Sequence, residues 1–368
     1  MQDRNAAQIL AKVMGWQDLS TVPQYVPDLL LLADYKYDHY QQFAPGRRFI
    51  ESLALWLEQL SSDDRPAALE LVTQHLVYFS DAEFSHLVQT AYPDLIVQER
   101  MRMVAEEHDI PTYRVGKIAK HARFEELKLK SLYLGLSDGA RTNELRRASN
   151  GEISNEQIWQ AYELGEQKSG DMRQELKSTM ARGGYSGTDP RFNLIWLLDD
   201  FSGSGNTYIR YDGAKKAFKG KLKKVYDQLH SEELVDPSHY EVFLLLYVAT
   251  RQAMDHIEYW CERFTSDMGY KPLQLRVLCT LEREISLTRV PSVAISQLLE
   301  KDCYFDQRVA EDKHIAVGGT NGRLGFAGCA LPVVLSHNTP NNSVYLLWGY
   351  EHYDFTGLFP RVTRHRES

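Results

Sequence analysis

One stretch of this chain leaves little freedom about what it folds into: Leu194-Ile195-Trp196-Leu197-Leu198-Asp199-Asp200-Phe201-Ser202-Gly203-Ser204-Gly205-Asn206-Thr207. Five consecutive apolar residues read as a buried strand. The strand ends in two carboxylates and turns through small, hydroxyl-bearing residues to where a helix is expected to begin. Backbone N–H groups in such a turn at a helix N-terminus can converge on one anion, and glycines remove the side chains that would block its approach. The hydroxyls of Ser202, Ser204 and Thr207 add donors. The two acids repel a phosphate, but they can accept hydrogen bonds from ribose hydroxyls or ligate a divalent cation. The whole therefore reads as a sugar-phosphate cradle. The bland alternative is an Asp-Asp pair and a Ser/Gly turn that simply cap a helix. Rival phosphate loops fit less well. No Gly-Lys-Ser/Thr follows Gly203, as a Walker A loop needs, and Tyr208 stands where a dinucleotide fingerprint needs its third glycine.

The surroundings predict a mainly parallel α/β sheet. Leu132–Leu136, Leu194–Leu198, Val242–Val248, Leu275–Thr280 and Val344–Trp348 are short apolar runs separated by helical stretches, the pattern of βα units. Residues 152–180 read as helix, and Ala181-Arg182-Gly183-Gly184-Tyr185-Ser186-Gly187 as a mobile link. Before about residue 120 the chain reads as helical. Phe49, Ile50, Leu53, Trp56, Leu57 and Leu60 form an amphipathic stripe, and Leu69, Val72, Leu76 and Phe79 continue the spacing after a break at Ser61 to Pro66. Ser80 and Glu83 then stand at capping-box spacing. The expected organisation is a helical region over 1–120 followed by an α/β domain over 121–368.

With 368 residues, 43% apolar and 25% charged, the chain can bury a core without staples. The longest apolar run, Val242 to Ala249, is too short for a membrane span, and the polar start lacks a secretory pattern, so a cytoplasmic location with no membrane partner is expected. Four cysteines (Cys261, Cys279, Cys303, Cys329) include no CxxC pair and read as buried thiols. His75, His86, His108 and His121 lack metal-site spacing, and Asp255, His256 and Glu258 read as helix surface. Net charge is −8, yet Arg210 to Lys224 carries seven basic residues against Asp212 alone. Lys215, Lys216, Lys219, Lys221, Lys223 and Lys224, interleaved with Phe218 and Tyr226, are either a nucleic-acid or polyphosphate contact or, more plainly, a solvated helical face.

Two further loops bear on chemistry. Ser137-Asp138-Gly139-Ala140-Arg141 follows the first candidate strand, and the arginine fork matches phosphate oxygens, although a surface arginine after an ordinary turn reads the same way. His337, Asn338, Asn341 and Asn342 lie in a dense Asn/Thr loop that can read the edge of a base or simply order itself through Asx turns.

Paired acids before a small-residue turn ending in Gly and Thr resemble the 5-phosphoribosyl 1-diphosphate (PRPP) signature of type I phosphoribosyltransferases. The resemblance implies that Asp199 and Asp200 bind the ribose hydroxyls, with Mg²⁺ as cofactor, that Ser202, Gly203, Ser204, Gly205, Asn206 and Thr207 hold the 5'-phosphate, and that Ser137 to Arg141 holds the diphosphate. The chain as a whole resembles the phosphoribosyltransferase-like proteins of bacterial conflict systems, PRTase-CE. The matching residues are Arg48 to Leu57, Leu136 to Arg141, the Asp199-Asp200 segment, and His337 to Asn342 through Phe359-Pro360-Arg361. That likeness implies a role in antiviral loci, some of them retron operons, with other subunits of a defence complex as partners. One departure stands out. Some relatives carry an acidic general base where this chain has Gly203. Two functions stay open on these residues: a phosphoribosyl-transferring enzyme, and a non-catalytic PRPP or nucleotide sensor or nucleic-acid-binding subunit.

Overall fold

The computed structural model describes residues 3–16, 22–185, 187, 189–351 and 353–361, so Ser186 of the glycine-rich link lies outside the described residues. Its strands, numbered along the chain, are β1 (Val77–Phe79), β2 (Ser131–Gly135), β3 (Ile158–Gln160), β4 (Leu194–Ser202), β5 (Arg210–Asp212), β6 (Ala217–Lys219), β7 (Glu241–Thr250), β8 (Leu273–Leu281) and β9 (Val333–Leu335). The chain forms two compact units, Phe84–Leu281, and Met1–Glu83 together with Glu282–Ser368. The boundary expected near residue 120 falls inside the first of these.

The Phe84–Leu281 unit is a five-stranded, wholly parallel sheet in the order β3-β2-β4-β7-β8. Its central strands carry unbroken apolar runs, Leu132–Leu134, Leu194–Leu198 and Val242–Ala249, because both faces are covered. One face presents Leu132, Leu134, Ile195, Leu197, Val242 and Leu244 to a core shared with Met172 and Leu176 of the helix Glu166–Arg182, Leu222 and Leu229 of Lys221–Ser231, and Ile257 and Phe264 of Arg251–Met268. The opposite face carries Trp196 stacked on Phe243 at 4.3 Å. Along it lies the helix Val97–Glu107, whose Glu99 accepts from Arg276 Nε of β8 at 2.5 Å.

Four of the five expected strands are present. The run Val344–Trp348 is instead a short helix, Tyr345–Trp348, every residue of it buried. An apolar run enclosed on all sides has no periodicity to separate helix from strand. The fifth strand is β3, inside the stretch expected to be helical, where helix begins only at Glu166. Three residues between 3₁₀ turns are too few to register a period of two.

In the other unit the stripe Phe49, Ile50, Leu53, Trp56, Leu57 and Leu60 is buried, as its spacing requires. Leu76 and Phe79 do not continue that helix. The chain turns extended at β1, which pairs in parallel with β9 from the far end of the chain. Both chain ends build one core: Phe359 packs against Tyr37, Tyr40, Phe43, Phe49 and Tyr78, and Trp56 Nε1 donates to Leu346 O at 2.9 Å. The capping box forms, with Ser80 N donating to Glu83 Oε2 at 2.7 Å and Glu83 N to Ser80 Oγ at 3.2 Å. None of the four cysteines is in a disulfide; Cys261 and Cys329 are buried as expected, whereas Cys279 is only half-buried and Cys303 is exposed.

Candidate functional site

Strand order decides where a ligand fits. From β2 the chain goes to β3 on one side, then returns to β4 on the other, so the loops after β2 and β4 leave in opposite directions. In open parallel sheets the crevice outside the carboxyl ends of two such strands is the usual binding position. The structure brings together there the acid pair and the loop Ser137 to Arg141. Ser137 Oγ hydrogen-bonds Asp199 Oδ1, and Leu136 N donates to Leu198 O at 2.9 Å. Gly139 lies so close to Asp200 that any Cβ would strike its carboxylate. Arg141 caps the helix Thr142–Ala148 with φ 49°, a left-handed conformation costly for a residue with a Cβ. Its guanidinium pairs with Glu144 at 3.1 Å and lies over the Phe84 ring.

Asp199 is enclosed. Beyond Ser137, its Oδ2 accepts from Tyr208 OH at 2.8 Å and Lys221 Nζ at 2.9 Å, and Oδ1 also accepts from Asp200 N at 3.2 Å. Burial and the neighbouring Asp200 charge raise its pKa, while Lys221 and Ser137 pull it back. Tyr208 is buried against both acids, so its phenol is held well above the usual range. A carboxylate has about four lone-pair directions, and these four donors fill them. A resident Mg²⁺ therefore does not fit Asp199, and among the described residues no group of three or more His, Cys, Asp or Glu side chains is placed to hold a metal.

The loop Ser202 to Thr207 does not run straight into a helix. A hairpin, β5 with β6, intervenes, and the helix starts at Lys221. Yet the helix start returns to the loop: Lys221 N donates to Thr207 O at 3.1 Å and Leu222 N to Tyr208 O at 3.0 Å. Gly220 makes this possible, with φ 129° and no room for a Cβ beside the Tyr208 carbonyl. From the other side Thr250 Oγ1 donates to Gly203 O at 2.6 Å, and His256 Nε2 meets Ile209 O at 2.8 Å. His256 is thus half-buried and a brace for the loop exit, not helix surface, and burial lowers its pKa. Ser202 and Ser204 are buried, whereas Thr207 is exposed.

The six lysines do not share one face. Lys215 and Lys216 are exposed on the hairpin turn, Lys219 pairs with Asp212 at 2.5 Å, Lys221 serves Asp199, Lys223 pairs with Asp227, and Lys224 is exposed. Phe218 and Tyr226 are core residues and cannot stack on bases. The Asn-rich loop belongs to the other unit. There Asn342 is buried with its amide directed at Phe326 O and Cys329 Sγ, Asn338 N closes a tight turn on Leu335 O, Asn341 O accepts from Phe326 N, and His337 O accepts from Gln42. Sequence reasoning missed Tyr208, Thr250 and His256. Only Tyr208, directly after the Ser202 to Thr207 loop, carried a positional signal.

A parallel α/β sheet whose crevice joins paired acids to a Ser/Gly loop defines a phosphoribosyltransferase-like protein. The chain matches the PRTase-CE family over residues 53–361 and belongs to it. No curated protein and no solved structure matches it. Among the described residues no helix is long and apolar enough to cross a membrane.

Proposed function

We propose that the chain binds PRPP, or a closely related ribose phosphate, in the crevice between β2 and β4. There it transfers the phosphoribosyl group to a nucleobase, nucleotide or nucleic acid as an effector of bacterial antiviral defence. The observation that carries this reading is the contact of Ser137 with Asp199 and of Gly139 with Asp200, which joins the diphosphate loop to the acid pair. In this reading Asp200, half-buried at the crevice, receives ribose hydroxyls, and Asp199 fixes the Ser137 and Tyr208 hydroxyls around it. Loop N–H groups from Ser202 to Thr207 take the 5'-phosphate, and Arg141 with the Ser137 to Ala140 backbone takes the diphosphate. The bond from ribose C1 to the diphosphate oxygen breaks, its electron pair leaves with pyrophosphate, and the acceptor's lone pair forms the new bond to C1. Positioning and charge complementarity carry most of such a reaction. In this reading any Mg²⁺ would be held by the diphosphate of the substrate, because among the described residues no group of three or more His, Cys, Asp or Glu side chains is placed to hold a metal. The defence setting, and any companion subunits or nucleic-acid partner, rest on family likeness.

A sensor that binds without transfer is the second reading. Gly203 offers no side chain to accept a proton, and its carbonyl is held by Thr250. Pyrophosphate release from PRPP, assayed with nucleobases, nucleotides and single-stranded nucleic acid as acceptors, separates the two. Release that disappears in Asp200→Asn supports the enzyme. PRPP binding that Asp200→Asn abolishes, with no release under any acceptor, supports the sensor. Unchanged PRPP affinity in a folded Asp199→Asn/Asp200→Asn chain overturns both.

A further inference from the structure

The two edges of the parallel sheet differ. β3 is three residues long, and shortness is a common way to blunt an edge, whereas β8 runs for nine, Leu273-Gln274-Leu275-Arg276-Val277-Leu278-Cys279-Thr280-Leu281. β8 keeps one register with β7, from Val242 opposite Leu273 to Thr250 opposite Leu281, so no bulge twists it away. It contains no Pro, Gly or Lys, and its one charge, Arg276, is turned to Glu99 of the covering helix at 2.5 Å. All nine residues are half-exposed, beside a β7 that is buried along nearly its whole length. Over Leu273–Leu278 one hydrogen bond reaches the backbone from outside the β7 pairing among the described residues, from the strand's own Arg276 Nη1 to Leu275 O at 3.0 Å. A long apolar strand with an open row of N–H and C=O groups is a template for another strand.

The strand's own sequence says which partner suits it. A two-fold axis normal to the sheet sets two copies of β8 antiparallel, and because side chains alternate between faces, the axis has to pass through a residue. Centred on Arg276, it would set arginine against arginine. Centred on Val277, it pairs the whole strand with itself. On one face Leu273 then meets Leu281, Leu275 meets Cys279 and Val277 meets its own copy, and on the other Gln274 meets Thr280 and Arg276 meets Leu278. Leu273, Leu275 and Val277 already lie against the sheet's core, so this pairing continues that core across the seam. Each Arg276 keeps its own Glu99, so no uncompensated like charges meet.

We propose that a second copy of this chain docks edge to edge on β8, joining two five-stranded sheets into one continuous sheet. The proposal is independent of the reading given to the crevice. A single strand edge falls short of the roughly 800 Å² per partner of a standard interface, so dimers are expected to form between about 1 and 100 µM. Sedimentation equilibrium of the full chain across that range tests it. Val277→Lys sets two ammonium groups face to face on the axis and is expected to raise the dissociation constant at least about tenfold, with circular dichroism to show that the variant folds. Val277→Cys, in a Cys303→Ser background that removes the exposed thiol, is expected to give a disulfide-linked dimer on mild oxidation. It keeps the test open if the lysine variant does not fold. Gln274→Cys in the same background is expected not to link, because its copy lies roughly 20 Å along the strand. A chain that stays monomeric at about 100 µM overturns the proposal, as does a dimer that survives a folded Val277→Lys. So does a Val277→Cys chain that fails to link, or that links no more readily than Gln274→Cys.

Discussion

Asp199 shows how one residue type serves two purposes at once. A buried carboxylate is costly unless its charge is met and its lone pairs are filled, and here Lys221 does the first while Ser137, Tyr208 and the Asp200 amide complete the second. Truncating Lys221→Met leaves the charge uncompensated. The expected loss is about 2 kcal/mol near neutral pH, below that of a fully buried pair because Lys221 is partly exposed. Since the folded-state pKa of Asp199 lies above its unfolded value and the variant raises it further, the protonated form is tolerated and the ionised form penalised. The deficit is therefore small toward acid pH and grows as pH rises through the folded pKa. Urea melts of wild type and variant at about pH 5 and about pH 8 check this, and a deficit that shrinks with rising pH would contradict it. Tyr208→Phe removes one donor and is expected to cost about 1 kcal/mol.

At the scale of elements, the Ser202 to Thr207 loop is held by a helix start that sequence order alone would not place there. The hairpin Arg210 to Lys219 separates loop from helix, and the backbone at Gly220 closes the gap. Gly220→Ala forces a Cβ against the Tyr208 carbonyl in a conformation that favours glycine, so a loss of about 3 kcal/mol is expected together with weakened PRPP binding. Chemical denaturation and a PRPP titration on the same sample measure both. The loop exit has a pH response through His256. Burial lowers its pKa from 6.5, so the neutral ring's contribution is complete above that value and is lost as pH falls through it to the folded pKa. Thermal melts between about pH 7.5 and pH 5 are expected to fall more steeply for wild type than for His256→Gln. Much of this site was legible in advance because strand, acids and turn occupy consecutive residues. The hairpin was not: Arg210 to Lys224 is dominated by lysines, and a charge run reports solvent exposure without saying whether strand or helix carries it. Lys221 and Lys224 look alike in sequence, yet one sits on the buried acid and the other in solvent.

For the molecule as a whole, local patterns fixed most elements but not which of them fold together. β1 and β9 are more than 250 residues apart, and no spacing rule links Val77 to its partner Val333. The same holds for Phe359, whose ring packs with Tyr37 and Phe49 from the opposite chain end. A boundary near residue 120 follows from the switch between helical and βα patterns, whereas folding units follow from who buries whom. Residues 84–129 are helical in pattern, but Val97–Glu107 pairs with the parallel sheet through Glu99 and Arg276, and so belongs with the strands. The two partitions predict different behaviour. Residues 84–281 contain a whole core, including both faces of the sheet, and are expected to melt as one cooperative transition when expressed alone. Residues 1–120 lack the 282–368 half of the core that Phe49, Trp56 and Leu57 enter, and are expected to remain soluble only as a dynamic, protease-sensitive chain. Circular dichroism melts and limited proteolysis of the two fragments decide between them. A cooperative, protease-resistant 1–120 with an unfolded 84–281 would restore the boundary drawn from pattern alone.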